Sequence, residues 1–202
     1  MKIVGIDEVG RGPIAGPVTV CVVACDENLY DKLKRDKRLP PKGFDSKKLS
    51  PLERQNYNTL LMSRTLLDIG FQYAVAHVSN KMIDRNGISF CIKKAIKKGI
   101  DKLKLTPLKC KVLLDGSLKA PEEFKNQKTI IKGDQKEKII AWASILAKVS
   151  RDRLMCSMAK KFPKYGLEFH KGYGTKKHRQ CIKKYGPSAF HRKTFCRHLT
   201  LS

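Results

Sequence analysis

An apolar strand that ends in two adjacent acids constrains the fold of this chain more than any other feature. Residues 2–25 read KIVGIDEVGRGPIAGPVTVCVVAC, with Asp7 and Glu8 directly after the apolar run. Neighbouring side chains of a strand point to opposite faces, so both carboxylates can serve one site only where the strand ends or bends. Gly10 and Gly12 permit such a bend. The segment therefore predicts a strand that brings paired carboxylates to one edge of a sheet.

The rest of the chain alternates between strand-like and helix-like patterns. Strands are predicted at 2–6, 17–25, 71–79, 110–116 and 128–134, the first two as a hairpin-like pair. Helices are predicted at 50–67, 81–100, 135–162 and 176–184, the first of them starting at a capping box of Ser50 and Glu53. Residues 26–49 are predicted to form a surface loop. This alternation predicts an α/β fold with a mixed sheet.

Positive charge is the strongest property of the composition. The chain has 43 Lys and Arg against 18 Asp and Glu, a formal charge of +25. Such an excess predicts a polyanionic partner, and nucleic acid is favoured over acidic lipid because no basic helix carries a bulky apolar face. There is no apolar run of about 20 residues and no signal-peptide pattern. We therefore expect a soluble cytoplasmic protein without membrane contact, whose seven cysteines are reduced thiols.

Four acids form the candidate catalytic set, since Asp7, Glu8, Asp115 and Asp134 each end a predicted strand. Taken singly, Asp115 can belong to a turn, Asp134 can cap a helix and Glu8 can pair with a nearby arginine. Taken together, four converging carboxylates would repel one another without a cation. Oxygen-only ligands suit Mg²⁺ or Mn²⁺, and phosphate oxygens of a nucleic acid would complete the ligand set. The pattern suits two-metal hydrolysis of a phosphodiester.

Other catalytic patterns are weaker. His191, Cys196 and His198 resemble part of a zinc site, but a basic surface tail explains them better. The chain has no nucleophile elbow, and GRGPIAG lacks the lysine and the spacing of a nucleotide-binding P-loop. Metal-dependent chemistry on nucleic acid is therefore the favoured interpretation.

Several motifs occur in a recognisable order along the chain. They are GIDEVGRGPIAGPV, DSKKLS, LLDG, KGD followed by ASILAKVSRD, HKGYGT and HRKTF. Over nearly its whole length the sequence resembles ribonuclease HII, the prokaryotic type 2 ribonuclease H. The resemblance implies a ribonuclease H-like catalytic domain at 1–163, with a mixed five-stranded sheet flanked by helices, and a basic helical C-terminal extension at 164–202. Related type HIII enzymes usually have Glu as the fourth acid, so Asp134 favours HII.

The resemblance also implies a function. Such an enzyme cuts RNA in RNA–DNA hybrids and nicks DNA duplexes 5′ to embedded ribonucleotides, leaving 3′-hydroxyl and 5′-phosphate ends, in ribonucleotide excision and RNA primer removal. The family's metal-binding acidic tetrad is matched by Asp7, Glu8, Asp115 and Asp134. Its substrate-binding residues are matched by Gly10, Arg11, Gly12, Lys47 in DSKK and Tyr173, the tyrosine that senses the 2′-hydroxyl. We expect a monomer that uses Mg²⁺ or Mn²⁺, and a replication clamp is a further candidate partner.

Two other functions stay open at this point. One is a non-catalytic RNA-binding protein in which the acids are structural, and the other is a DNA-specific nuclease or resolvase of the same fold. Cation-dependent nicking of a duplex with one ribonucleotide excludes the first, and cleavage of an all-DNA duplex identifies the second. Trp142 departs from the family pattern, in which small residues are usual at this place, and it leaves the local packing open.

Overall fold

A single mixed sheet lies at the centre of the fold. The computed structural model describes residues 1–40 and 49–199. Its strands are β1 (Lys2–Val9), β2 (Val18–Asp26), β3 (Gln72–Val78), β4 (Cys110–Asp115) and β5 (Gln127–Ile130). They lie in the order β3-β2-β1-β4-β5. The pairs β1–β2 and β2–β3 are antiparallel, whereas β1–β4 and β4–β5 are parallel. The predicted mixed five-stranded sheet is confirmed.

Helices cover both faces of this sheet. Those in the described residues are α1 (Glu27–Leu33), α2 (Pro51–Leu61), α3 (Arg64–Asp68), α4 (Asn80–Asn86), α5 (Ile88–Lys102), α6 (Gly133–Lys136), α7 (Lys138–Lys161), α8 (Leu167–His170), α9 (Lys176–Tyr185) and α10 (Lys193–Cys196). Helix α5 packs on one face and α7 on the other. None of the helices in this part of the chain combines the length and apolarity that a membrane crossing requires.

The alternation of side chains along the strands builds two hydrophobic layers. In β1, Val4 and Ile6 face α5, while Ile3 faces α7. Gly5 lets α7 approach the strand closely, because a Cβ at this position would lie 2.5 Å from the carbonyl oxygen of Ile139. The start of α7 is therefore packed directly beside the end of β1 that carries the first two acids.

Two predicted helices are interrupted. The capping box at Ser50 is present as predicted, but the helix at 50–67 breaks into α2 and α3, because the Ser63 hydroxyl accepts the N–H of Leu66 and caps a new helix. The helix at 81–100 breaks at Gly87, whose φ of 79° ends α4 before α5 begins. Both breaks depend on local capping that apolar spacing does not reveal.

The prediction of a surface loop at 26–49 was wrong in its first part, where α1 forms. Helix α1 is held by tertiary contacts, since Tyr30 packs edge-on against Trp142 with ring centroids 5.8 Å apart. Trp142 is fully buried and also meets Phe71 at 5.9 Å. The unusual tryptophan is thus accommodated by aromatic packing from α1 and from Phe71, the residue before β3. Residues 41–48 lie outside the described residues.

The chain after Pro163 packs against the loop that follows β1. A third hydrophobic cluster joins the two segments with the end of α7; its members include Ile14, Ala15, Met155, Tyr165, Leu167, Ile182 and Cys196. The predicted helix at 176–184 is confirmed as α9. This packing brings the basic C-terminal segment to the edge of the sheet where the acids of β1 lie.

Candidate active site

The parallel pairing of β1 with β4 brings two of the predicted acids together. Ile6 pairs with Leu114, so Asp7 and Asp115 follow side by side at the carboxyl ends of the two strands. Asp7 is buried, with 6% of its surface exposed, and Asp115 is half-buried. Ligands of open α/β sheets bind at this edge. The sheet topology therefore places both carboxylates where a site is expected.

Asp134 reaches the same edge by a different route from the one predicted. The predicted strand at 128–134 ends at Ile130, and Lys132 then adopts a left-handed conformation with φ of 54°. Asp134 therefore lies on the short helix α6 and not at a strand end, and it is buried. The N–H of Gly133 donates to Asp115 Oδ1 at 2.6 Å.

Glycine is needed at position 133 because of this close approach. A Cβ there would lie 2.7 Å from Ile140 Cδ1 and 3.2 Å from Asp115 Oδ1. The glycine thus allows the backbone of α6 to reach the carboxylate of β4, and the residue that follows it is Asp134. A turn, not a strand, joins the fourth predicted acid to the other three.

The carboxylate of Asp7 is repelled by neighbouring negative charges at this edge. Burial holds the pKa of the Asp7 carboxyl well above its usual range, and the charges of Glu8 and Asp115 raise that pKa further. Hydrogen bonds from the Ser144 side chain and from the Glu8 N–H, which lies 2.7 Å from Asp7 Oδ1, offset part of this effect. A bound cation would relieve the same repulsion by favouring the charged form of each acid.

The residues at this edge fit a divalent cation by charge and by donor chemistry. All four predicted ligands are carboxylates, which hard cations such as Mg²⁺ and Mn²⁺ prefer. Among residues 1–40 and 49–199, however, no three His, Cys, Asp or Glu side chains lie close enough together to hold a metal ion as they stand.

Arg192 fixes the loop of residues 10–17, called here the glycine loop. Its guanidinium donates to the carbonyl oxygens of Gly10 at 2.5 Å, Arg11 at 2.9 Å and Gly16 at 2.9 Å. The side chain is fully buried. Burial, with the neighbouring charge of Arg151, lowers the pKa of Arg192 to about 9, so the group is still charged at neutral pH. One buried cation therefore holds both ends of the loop.

Arg151 is a second buried cation on the same loop. It donates to the carbonyl oxygens of Pro17 at 3.1 Å and Ala15 at 3.2 Å, and to that of Lys171 in the C-terminal segment at 2.9 Å. Gly10 has φ of 89°, and a Cβ at this position would lie 2.3 Å from Arg151 Nε. Packing against Arg151 and the positive φ therefore require glycine at position 10, whether or not a substrate contacts it.

Arg11 and Gly12 face outwards beside the acids. The Arg11 side chain is 52% exposed, with Nη1 3.9 Å from Glu8 Oε1 and 3.4 Å from Ser117 Oγ. A Cβ at Gly12 would meet no protein atom within 4 Å, and Gly12 is exposed. Packing in the described residues does not require glycine at this position, which leaves open space for a ligand beside the carboxylates.

The HKGYGT segment pairs with the glycine loop through the backbone. The N–H groups of Ile14 and Ala15 donate to the Gly172 carbonyl at 2.9 and 3.3 Å. A Cβ at Gly172, whose φ is 86°, would lie 2.6 Å from the Ala15 carbonyl oxygen. Tyr173 is 44% exposed, and its phenol is near enough to Arg151 to offset part of the burial effect on the pKa of that arginine. Tyr173 therefore lies beside the glycine loop.

A chain of two buried histidines holds the backbone of Tyr173. His178 Nδ1 donates to the Tyr173 carbonyl at 2.8 Å, so its Nε2 is free to accept. His191 Nδ1 accepts the Ser188 N–H at 2.9 Å, so its Nε2 carries the proton and donates to His178 Nε2 at 3.0 Å. Each neutral tautomer fits its partners, and adding a proton to either ring would break one of these bonds.

These histidines predict a loss of stability in acid. Burial lowers the pKa of His178 and of His191 to about 4 each. The unfolded chain binds their protons below about pH 6.5, whereas the folded chain resists until about pH 4, so the free energy of unfolding should fall across this window. The fall approaches roughly 3 kcal/mol for one imidazole. Urea unfolding at pH 7 and pH 4.5 measures it.

Two variants separate this effect from other titrations. His178→Gln should be less stable at pH 7 but should lose less on acidification than the parent. His198→Gln, at an exposed position, should keep the parent's pH dependence. An equal loss in the parent and in His178→Gln would contradict the prediction.

Sequence patterns found the acids and missed the residues that hold the loop. The structure brings Asp7 and Asp115 to adjacent strand ends, with Glu8 next to Asp7, and Asp134 directly follows the glycine that donates to Asp115. It also sets Tyr173 against the glycine loop, while Lys47 lies outside the described residues. Arg151, Arg192 and His178 were not predicted to have a role at the site. Their only signal was membership of ASILAKVSRD, HRKTF and the segment after HKGYGT.

Comparison with known proteins places these features in a family. The family model described as Ribonuclease HII matches residues 4–198. Ribonuclease HII of Caldicellulosiruptor bescii is 42% identical over 197 residues, which is 98% of this chain and 87% of that protein. The ribonuclease H2 structure from Pyrococcus horikoshii OT3 is similar with TM-score 0.71 and 27% identity, covering 98% of this chain and 97% of that one. The PCNA:RNase HII complex from Archaeoglobus fulgidus gives TM-score 0.71 and 25% identity, covering 99% and 97%.

Proposed function

The chain belongs to the ribonuclease HII family, and on this premise we propose that it cuts the RNA strand of RNA–DNA hybrids and nicks DNA duplexes 5′ to embedded ribonucleotides. That it is a ribonuclease H, a hydrolytic endonuclease, follows from the family. The proposal adds the 3′-hydroxyl and 5′-phosphate ends and the roles in ribonucleotide excision and RNA primer removal. Its main support is the buried Asp7 carboxylate, which lies within reach of the charges of Glu8 and Asp115 beside an open glycine loop.

We assign the divalent cations to the four acids at the sheet edge. Asp7, Glu8, Asp115 and Asp134 would hold them, because a cation at this edge would relieve the repulsion that Glu8 and Asp115 exert on Asp7. When bound, two such ions activate water and stabilise the leaving oxygen of the phosphodiester. The parts of the chain that hold the acids rigid are the paired ends of β1 and β4 and the Gly133 N–H on Asp115.

Substrate contact is assigned to the glycine loop and Tyr173. Arg11 is half exposed next to Glu8, and Gly12 leaves room for a backbone to approach. Phosphate contacts of this kind fix the register of a nucleic acid, while contact with the 2′-hydroxyl tells ribose from deoxyribose. Gly10 does not face the open side of the loop: it packs against Arg151, and its carbonyl oxygen accepts a hydrogen bond from Arg192. Lys47 keeps the substrate role that the family resemblance implies, although it lies outside the described residues.

The basic C-terminal segment, which we propose as an extension at 164–202 of the catalytic domain at 1–163, is assigned to the duplex backbone. Its lysines include Lys171, Lys176, Lys177, Lys183 and Lys184. Because this segment packs against the glycine loop, a duplex bound by its lysines would lie close to the acids. We expect a cytoplasmic monomer, and a replication clamp is a candidate partner because the Archaeoglobus relative forms a complex with PCNA.

Tyr173→Phe should slow cleavage at a single embedded ribonucleotide with little loss of duplex affinity. A polar group left unpaired costs roughly 1 to 3 kcal/mol, which corresponds to about a fivefold to hundredfold lower rate. Tyr173→Ala should lose more, because contact of the ring with the neighbouring sugar is lost too. Single-turnover cleavage measures the rate, and binding to the same duplex without the ribonucleotide measures affinity.

Tyr185→Phe is the matched control, since Tyr185 is 45% exposed on α9 and should keep the parent's rate. If both Tyr173 variants cleave as fast as the parent, Tyr173 is structural. Recognition of the 2′-hydroxyl would then lie wholly in the glycine loop.

A panel of three duplexes tests the proposed function. With Mg²⁺ or Mn²⁺, the chain should nick a DNA duplex that carries one ribonucleotide and cut an RNA–DNA hybrid, but leave an all-DNA duplex intact. Sequencing of the products should place the nick 5′ to the ribonucleotide. Binding without any cleavage would favour a non-catalytic RNA-binding protein, and cleavage of the all-DNA duplex would favour a DNA-specific nuclease.

A further inference from the structure

A lysine-lined cavity of about 700 Å³ lies between α5 and the segment after β4. Phe90, Lys93, Lys94 and Lys97 line it from the exposed face of α5, and Lys119 lines it from the opposite side. The spacing of the α5 residues follows from the helical repeat, which puts positions three and four apart on one face. The opposite face of α5 is buried against the sheet. The cavity is therefore built on a rigid element.

A smaller cavity of about 190 Å³ lies next to this one, on the side of Arg11. Lys93 and Lys119 line both cavities. At its other end the smaller cavity is lined by Arg11 and Ser117, and Arg11 is the residue that lies 3.9 Å from Glu8. We call the two cavities together the lysine groove. Its lining residues extend from Arg11, next to Glu8, to Phe90.

The charge of the lysine groove fits a phosphate backbone. Among the described residues, Lys93, Lys94 and Lys119 have no carboxylate within salt-bridge distance. Lys97 forms an exposed pair with Asp101 within α5, and Glu122 is the one acid that the described part of the chain contributes to the lining of the larger cavity. A row of lysines without carboxylate partners is ready to neutralise phosphates and release their counterions.

Phe90 adds an exposed aromatic ring to the lysine groove, and binding of a phosphate backbone alone would not require such a ring. The ring is 47% exposed although it is large and apolar, and the Lys94 ammonium lies 5.9 Å from its centroid. Exposed rings among cations are the usual platform on which unpaired bases stack. A paired base in a duplex cannot offer its face to such a ring, whereas an unpaired one can.

The size of the larger cavity points to the same class of ligand. A volume of about 700 Å³ is that of pockets that enclose a drug-sized molecule, which is comparable with a nucleotide or two. A single strand that leaves the duplex near the cleaved position can lay its phosphates on the lysines and one base on the ring.

We propose that the lysine groove binds an unpaired nucleic-acid strand that continues from the duplex held at the active site. Phe90 stacks on a base, and Lys93, Lys94 and Lys119 contact the adjoining phosphates. The proposal rests on the proposed function only for the position of the duplex. It implies that the enzyme favours substrates with a single-stranded tail or flap next to the ribonucleotide.

Binding of tailed and blunt DNA tests the lysine groove without any cleavage. Fluorescence anisotropy is measured without divalent cation on an all-DNA duplex, either blunt or with an oligothymidine tail on the 5′ or the 3′ side. The parent should bind one of the tailed duplexes more tightly than the blunt one. Phe90→Ala should weaken binding of that tailed duplex by about fivefold to a hundredfold, because stacking of a base is lost. Phe90→Tyr should keep it, and the affinity of every variant for the blunt duplex should equal the parent's.

A charge variant tests the lysines separately. The double variant Lys93→Gln with Lys119→Gln should flatten the salt dependence of tailed-duplex binding by about 1.4 logarithmic units per decade of salt, since each phosphate contact on a single strand contributes about 0.7. The matched control replaces Lys98 and Lys109, both exposed but outside the lysine groove, and should keep the parent's slope.

Three results would overturn the proposal. The first is that neither tail improves binding by the parent, and the second is that the improvement persists in Phe90→Ala. The third is that the Phe90 and lysine variants weaken blunt and tailed duplexes equally, because the lysine groove would then hold the duplex backbone. Cleavage is scored in a separate assay, so a protein that binds tails but does not cut ribonucleotides contradicts the proposed function and not the lysine groove.

Discussion

Asp7→Asn should lose cleavage of a ribonucleotide-containing duplex by roughly a thousandfold or more, equivalent to about 4 kcal/mol of transition-state stabilisation. An amide is a poor ligand for a hard divalent cation, and Asp7 is the most buried acid at the sheet edge. Affinity for the duplex should be unchanged or better, since a negative charge facing phosphate is removed. Asp134→Asn should behave in the same way. Single-turnover cleavage and a binding assay measure the two properties.

Stability gives this prediction a second readout. Because Asp7 is buried among like charges, its neutral amide should stabilise the fold by about 1 to 3 kcal/mol. Mn²⁺ should raise the melting temperature of the parent by mass action but should raise that of Asp7→Asn much less. Asp68→Asn is the control: it removes only an exposed ion pair with Arg64 on α3, so it should match the parent in cleavage, in duplex affinity and in its response to Mn²⁺. Unchanged turnover in Asp7→Asn or Asp134→Asn would refute the assignment of that acid.

Arg192→Met should slow cleavage by about a hundredfold or more and should destabilise the fold by roughly 3 kcal/mol. The loss of the guanidinium leaves the carbonyl oxygens of Gly10, Arg11 and Gly16 without their buried donor, and each unsatisfied group costs about 1 to 3 kcal/mol. Part of this cost is offset, because the Met variant no longer buries a charged group. A loop displaced by about 1 Å is enough for the expected loss of rate.

The expected pattern identifies Arg192 as a positioning residue and not merely a stabilising one. At a temperature where circular dichroism shows Arg192→Met fully folded, the single-turnover rate should fall while affinity for an all-DNA duplex changes little. Arg153→Met, at an exposed position on α7, should keep the rate and the stability of the parent. A folded Arg192→Met variant that cleaves at the parent's rate would show that the glycine loop keeps its position without this arginine.

The sequence predicted the sheet and its acids because both depend on local pattern. Strand periodicity was enough to place Asp7 and Asp115 at strand ends. The parallel pairing of β1 with β4, which the structure shows, then brings them to one edge. Asp134 was predicted at a strand end but lies on a short helix. The left-handed turn at Lys132 that ends the strand early could not be predicted, because lysine rarely adopts this conformation. Helix α1 was missed because its support comes from the distant Trp142.

The buried arginines show why the residues that hold the glycine loop could not be predicted. Arginine is usually exposed. Arg151 and Arg192 are buried because the glycine loop, α7 and the C-terminal segment pack together around them, and these segments are far apart in the sequence. The histidine pair depends on the same meeting, since His178 and His191 come from separate elements. Motif membership indicated that these residues matter, but only packing reveals what they hold.

Binding of Mn²⁺, followed by electron paramagnetic resonance of the free ion, tests most directly whether the acids at the sheet edge hold the catalytic cations. The full chain is titrated with Mn²⁺ alone and with an all-DNA duplex that it cannot cut. We predict that the parent binds Mn²⁺, that the duplex tightens this binding by supplying phosphate oxygens, and that Asp7→Asn binds at least about tenfold more weakly in both conditions. Equal Mn²⁺ affinity in the parent, Asp7→Asn and Asp134→Asn would contradict the placement of the metal site at this edge.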